Sequence, residues 1–175
     1  WIFVAVQTAR AEKSPTPSES EAPTFEARKR ACDDLFDRLH FKEATDCYTQ
    51  AYATFHNVAL LYNRGRALQA LERYPEALDA FLQFRAEAPA DVLGRLPGLG
   101  ALIDDLQARV CELEIRGADG AVLKADGQTL GIAEGGRIFR LNAGVHQLTI
   151  ERAGFEPKAI RSDLRGRTSV EVVLK

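Results

Sequence analysis

The feature that most constrains this chain is an internal repeat. Cys32, Leu35, Ala44, Tyr48 and Ala51 return 33 residues later as Gly65, Leu68, Ala77, Phe81 and Phe84, in register across all five pairs. Dense helix formers surround them, so each unit reads as two antiparallel helices. A small residue on the first helix (Cys32, Gly65) permits close approach, Ala44 or Ala77 on the second faces it, and Tyr48 or Phe81 fills the gap to the next unit. Lys42-Glu43-Ala44 and Pro75-Glu76-Ala77 open the second helices, with Pro75 in a first turn where its missing N–H costs little. A generic helical bundle is the alternative.

These residues resemble the tetratricopeptide repeat family over 25–90: the small slot at Gly65, the alanines 44 and 77, the aromatics 48 and 81, and a closing Pro89. His56 stands where the first closing proline belongs, Phe84 replaces a small residue, and the period is one residue short of the usual 34. Two stacked units leave an apolar face open. Leu99, Leu102, Ile103, Leu106 and Val110, spaced by three and four, predict a helix over 99–110 that caps that face. No Gly, Pro or Ser between Ala101 and Gly117 offers a hinge beyond it.

From Cys111 the period falls to two. Cys111, Leu113 and Ile115 alternate with Glu112, Glu114 and Arg116, and the pattern recurs at Ala121, Leu123 and Ala125, at Phe139 and Leu141, at His146, Leu148 and Ile150, and at Val170, Val172 and Leu174. Asp119-Gly120, Asp126-Gly127, Gly135-Gly136, Ala143-Gly144, Gly154 and Arg165-Gly166 supply turns between them. The expected architecture is therefore two-domain, α then β: a short tetratricopeptide-like helical repeat with a capping helix (25–110), then a small antiparallel β-sandwich (111–175). The run Leu123 to Gly127, then Gly131, then Leu141 to Ile150, then Ala153-Gly154-Phe155 resembles the PEGA family, although Ile132-Ala133 stands where Thr-Pro is often expected. That resemblance implies a non-catalytic module of bacterial envelope proteins.

Ahead of the repeats, Trp1 to Val6 is apolar and Ala9-Arg10-Ala11 has the small-x-small form of a secretory cleavage site. Residues 1–11 read as the end of a signal peptide, with an ordinary apolar strand or anchor as the alternative. Residues 12–24, rich in Pro, Ser and Glu, read as a flexible tether. The expected location is periplasmic or otherwise in the cell envelope.

Charge favours no polyanionic partner. The net charge of the chain is −2, with 11 basic against 13 acidic residues in 25–110 and 10 against 9 in 111–175, so nucleic acid is not expected as a partner. Arg161, Arg165 and Arg167, with Arg137 and Arg140 nearby, read as an edge strand guarded by charge. His40, His56 and His146 lack metal-ligand spacing, Gly94, Gly98 and Gly100 lack a phosphate-loop ending, and no serine sits in a nucleophile elbow. Asp33, Asp34 and Asp37 read as a solvated helix face. Asp119 and Asp126 read as turn residues, and His146 as a satisfied or edge histidine. No catalytic, cofactor or metal site is expected.

The function this suggests is a secreted scaffold whose helical repeats bind a protein or peptide, while the β domain docks to the envelope or to an assembly. A structural subunit of a large envelope complex is the alternative, and an enzyme of unrecognised type a remote one. The repeat resemblance implies a concave face lined by first helices, which assigns the groove to Lys29, Arg30, Asp33 and Phe36 in one unit and to Tyr62, Asn63, Arg66 and Gln69 in the next. Asn63 would clamp an extended backbone and Tyr62 would offer apolar area; the alternative is that all eight are ordinary solvated residues. Cys32 and Cys47 lie on facing helices. The strict geometry of a disulfide favours two buried free thiols there, with a bridge as the alternative in an oxidising compartment.

Overall fold

A computed structural model describes residues 24–175. The expected signal segment and nearly all of the tether lie outside the described residues. Four helices come first: α1 (Phe25–Asp37), α2 (Phe41–Phe55), α3 (Val58–Ala70) and α4 (Tyr74–Glu87). The 33-residue sequence period is reproduced by the backbone. Thr24 and Asn57 both cap their helices by accepting from an amide of the first turn, Ala27 and Ala59. Leu39 and Glu72 both take the left-handed conformation, at φ 64° and 55°. Two pairs of turn bonds correspond around them: His40 N–H donates to Leu35 C=O as Arg73 N–H does to Leu68 C=O, and Leu39 to Phe36 as Glu72 to Gln69.

Packing repeats as well. Ala44 and Ala77 are fully buried, as are Tyr48 and Phe81, and Ala51 and Phe84. The small slot has a stricter reason than the sequence suggests: Gly65 faces the Phe81 ring rather than Ala77, and a Cβ there would lie 2.8–3.0 Å from three ring carbons. In the first unit the equivalent residue is Cys32, and it is bonded to Cys47, whose equivalent is Ala80. The expectation of two free thiols is corrected here. The repeat brings α1 and α2 together at their small positions, with Cα atoms 5.4 Å apart, inside the range a disulfide needs.

After Pro89 comes a short helix, α5 (Ala90–Gly94), and then α6 (Leu99–Ala108). Leu99, Ile103 and Leu106 of α6, with Val110, are buried in one cluster with Leu61, Leu68, Ala77, Phe81 and Phe84. The open face of the second unit is thus covered by α6. Arg109 alone separates α6 from the first strand.

The rest is β structure: β1 (Val110–Arg116), β2 (Val122–Ala125), β3 (Gln128–Ile132), β4 (Ile138–Asn142), β5 (Gly144–Glu151), β6 (Lys158–Leu164) and β7 (Arg167–Glu171). Three strands form one sheet in the order β4-β1-β7, and four form another in the order β3-β2-β5-β6. Residues of both sheets share one buried cluster, including Leu113 and Phe139 from the first and Leu123, Leu148 and Ile150 from the second. Pairing is antiparallel except between β1 and β7, which run parallel with Glu112 opposite Arg167. The expectation of a wholly antiparallel domain is corrected at that pair, which forms because the chain changes sheets between β6 and β7. The Asp126-Gly127 turn, with φ 49° and 82°, closes a two-residue hairpin of the primed type.

Two strands lie outside the alternating segments read from the sequence. β3 has no buried residue, and β6 buries only Leu164; both are sheet edges. Val172 and Leu174, expected as strand, follow β7, although Val172 is buried and donates its N–H to Arg116 C=O. Arg140 leaves the expected basic edge for Asp79 on α4, and Arg137 lies over Phe139.

Candidate functional site

Side chains three, four or seven positions apart share a helix face. On α1 that rule aligns Lys29, Asp33 and Phe36, and on α3 it aligns Asn63 with Arg66. The two faces meet in a hollow of about 290 Å³ lined by Lys29, Asp33, Phe36, Asp37, Tyr48, Asn63 and Arg66. Five of the eight groove residues read from the sequence therefore come together in one concavity.

Asp33 is its hub, and the reading of this carboxylate as part of a solvated face is corrected. Its Oδ2 accepts from Lys29 Nζ at 2.6 Å, while Oδ1 accepts from the Tyr48 hydroxyl at 2.8 Å and from Asn63 Nδ2 at 3.2 Å. These bonds tie α1 to α2 and α3. Burial first, and then the bond to the Asp33 carboxylate, push the Tyr48 phenol well above the ordinary tyrosine range. The phenol therefore keeps its proton and remains a donor. The guanidinium of Arg66, an exposed residue lining the hollow, stands 4.7 Å over the Phe36 ring.

The other three groove candidates do not join. Arg30 is exposed on α1 outside the hollow, and Gln69 is half-buried at the end of α3 with no side-chain hydrogen bond among the described residues. Tyr62 does not line the hollow. Its ring packs edge-on against Phe81 at 5.4 Å and lies 5.3 Å from Phe84, so it belongs to the contact with α4. Asn63 is not a free amide either, since one N–H is held by Asp33. The sequence missed Asp37 and Tyr48. Asp37 follows Asp33 by one helical turn, and a buried tyrosine hydroxyl needs an acceptor; both signals were present.

A larger hollow, about 530 Å³, opens between the helices and the sheets and is lined by residues of the α3–α4 turn, β2–β4 and His146. Three of its polar side chains have close partners: Arg73 pairs with Glu76, Arg140 with Asp79 outside the hollow, and the His146 ring meets the Asp126 carboxylate. His146 Nδ1 faces Asp126 Oδ2 at 2.6 Å and Nε2 faces the Asn142 carbonyl at 2.8 Å, so both ring nitrogens meet acceptors. The Gln147 N–H, and after it His146, hold the Asp126 carboxyl below its usual range. Among the described residues no group of three or more His, Cys, Asp or Glu is arranged to hold a metal, and no helix is long and apolar enough to cross a membrane.

Comparison with protein-family models, curated proteins and solved structures returned no match.

Proposed function

We propose that this chain is a non-catalytic interaction protein of the bacterial cell envelope. Its helices, read as tetratricopeptide-like units, bind a partner polypeptide along the α1–α3 hollow. Its β unit, read as a PEGA-like sandwich, docks the body to an assembly. The observation that carries this reading is the convergence of Lys29, Asp33, Phe36, Asn63 and Arg66 in one concavity. That hollow pairs a cation–π surface with a carboxylate hub and the Asn63 amide, a mixture suited to an extended peptide rather than to a polyanion. The Cys32–Cys47 bridge supports an oxidising compartment, since such bonds persist outside the cytosol.

The test is quantitative recovery of partners from envelope extract with the wild-type chain and with Asn63→Ala combined with Arg66→Ala. The reading expects a reproducible partner whose recovery drops with the double variant. If every recovered protein stays bound at wild-type strength, the groove is not the binding face. Stable one-to-one recovery would point to a fixed subunit of a larger complex.

A further inference from the structure

The β unit is fastened to the second helical hairpin by three polar contacts. Asn142 Nδ2 donates to the Glu72 carbonyl at 2.6 Å, the Tyr74 N–H donates to Asn142 Oδ1 at 3.2 Å, and Arg140 pairs with Asp79. Arg140 and Asn142 alternate with buried Phe139 and Leu141, so both stand on the outer face of β4, toward α4. The receiving groups are a left-handed turn carbonyl, the first helical N–H beyond it, and a carboxylate on the helix that follows.

The same three groups recur 33 residues earlier. Leu39 C=O corresponds to Glu72 C=O, Phe41 N–H to Tyr74 N–H, and Asp46 to Asp79. Leu39 shares the left-handed backbone of Glu72 and the flanking turn bonds, which gives the carbonyl and the N–H the same arrangement. Among the described residues no side chain bonds to either group. Asp46 meets only Lys42, at 3.6 Å, with both side chains largely exposed. Leu39 is 71% exposed, the highest among the large apolar residues described. Holding a leucine in that left-handed conformation is unfavourable for its backbone.

We propose that the first hairpin is a second docking surface of the kind the β unit occupies on the second hairpin, and that it receives an edge β-strand presenting Arg and Asn two residues apart on one face. The arginine meets Asp46, the asparagine bridges Leu39 C=O and Phe41 N–H, and Leu39 supplies apolar contact beside them. The chemistry is that of β4 in this chain, carried by a β unit of a neighbouring protein. Thr49 stands where α4 has Leu82, so the apolar share of the footprint is smaller and the docking is reversible. This surface is separate from the α1–α3 hollow, and neither reading depends on the other.

The full chain supplies its own probe. Tyr74→Pro removes the N–H at a first-turn position that tolerates proline, and Asp79→Lys repels Arg140. Together they remove two of the three contacts on the outer face of β4 while leaving the first hairpin intact, and loss of the third is checked by the Asn142 side-chain amide resonance. Sedimentation of this double variant should show concentration-dependent association through the first hairpin. Adding Phe41→Pro and Asp46→Lys should weaken that association at least tenfold, the scale of a lost charge-assisted bond. A variant with the wild-type far-ultraviolet spectrum that stays monomeric overturns the proposal, as does association that survives the added pair.

A second measurement covers a variant that does not fold. A cyclised peptide of residues 138–146 is titrated into the isotope-labelled wild-type chain. Saturable amide shifts at Leu39, Phe41 and Asp46 that vanish with Asp46→Lys support the proposal. No saturable shift there, or shifts confined to Glu72–Asp79, overturn it.

Discussion

The hydroxyl of Tyr48 donates to the carboxylate of Asp33 at 2.8 Å, and each residue lies one position beyond a half-cystine of the Cys32–Cys47 bridge. A covalent bond and a charge-assisted hydrogen bond thus join the same two helices side by side, and the second forms the floor of the proposed groove. Tyr48→Phe removes the donor while leaving the carboxylate its bonds from Lys29 and Asn63, and should cost about 1–2 kcal/mol. Asp33→Ala strands the hydroxyl as well and should cost more. Urea unfolding of the two variants checks the order.

Thiol counting tests the bridge. In denaturant without reductant one thiol should react, Cys111, and after reduction three should. Replacing both Cys32 and Cys47 by alanine should lower stability by about 3 kcal/mol, the entropy of releasing a loop of this length. Three reactive thiols before reduction would remove the bridge.

Gly65→Ala sets two effects against each other. Alanine raises helix propensity by about 1 kcal/mol, but its Cβ would sit within 3.0 Å of the Phe81 ring, which is fully buried and has no room to retreat. Overpacking of this kind costs about 1–3 kcal/mol. A lower melting temperature is expected, with partial recovery when Phe81→Leu is added.

Acid should loosen the β2–β5 region. The Asp126 carboxyl is held below its ordinary range in the folded chain, mainly by the Gln147 N–H and then by His146. Its stabilisation is therefore complete above the unfolded value near pH 4 and is lost as pH falls through the folded one. Asp126→Asn should be less stable than wild type at pH 6, and the gap should narrow on acidification toward pH 2. A gap that is constant across that range would assign the loss to something other than the charge.

Deleting residues 99–175 strips α6 from the face formed by Leu61, Phe81 and Phe84. The remaining helices should bind a hydrophobic dye and aggregate. A soluble, cooperatively melting fragment would deny α6 its covering role.

How far the sequence foretold this depends on what each residue answers to. The helical hairpins were legible because every spacing from Cys32 to Phe84 serves burial, and burial writes itself as periodicity. β3 and β6 were not, because β3 buries no residue and β6 only Leu164, and backbone bonds leave no mark on side-chain choice. The α1–α3 hollow was legible for Lys29, Asp33, Phe36, Asn63 and Arg66 through the concave face of first helices that the repeat resemblance implies. Tyr62 fell elsewhere because the aromatic neighbours at Phe81 and Phe84 claim its ring, a tertiary preference no local pattern records.

The parallel pairing of β1 with β7 also fixes an order of events. Each helical hairpin closes on residues adjacent in the chain, so it can form as soon as it leaves the ribosome. β1 follows α6 almost at once, yet one of its two neighbours, β7, is synthesised last among the strands. Until Arg167–Glu171 emerges, the backbone edge of Val110–Arg116 that β7 pairs must wait unpaired beside an already folded body. Nascent chains halted between β1 and β7 should therefore be the ones that chaperones hold longest.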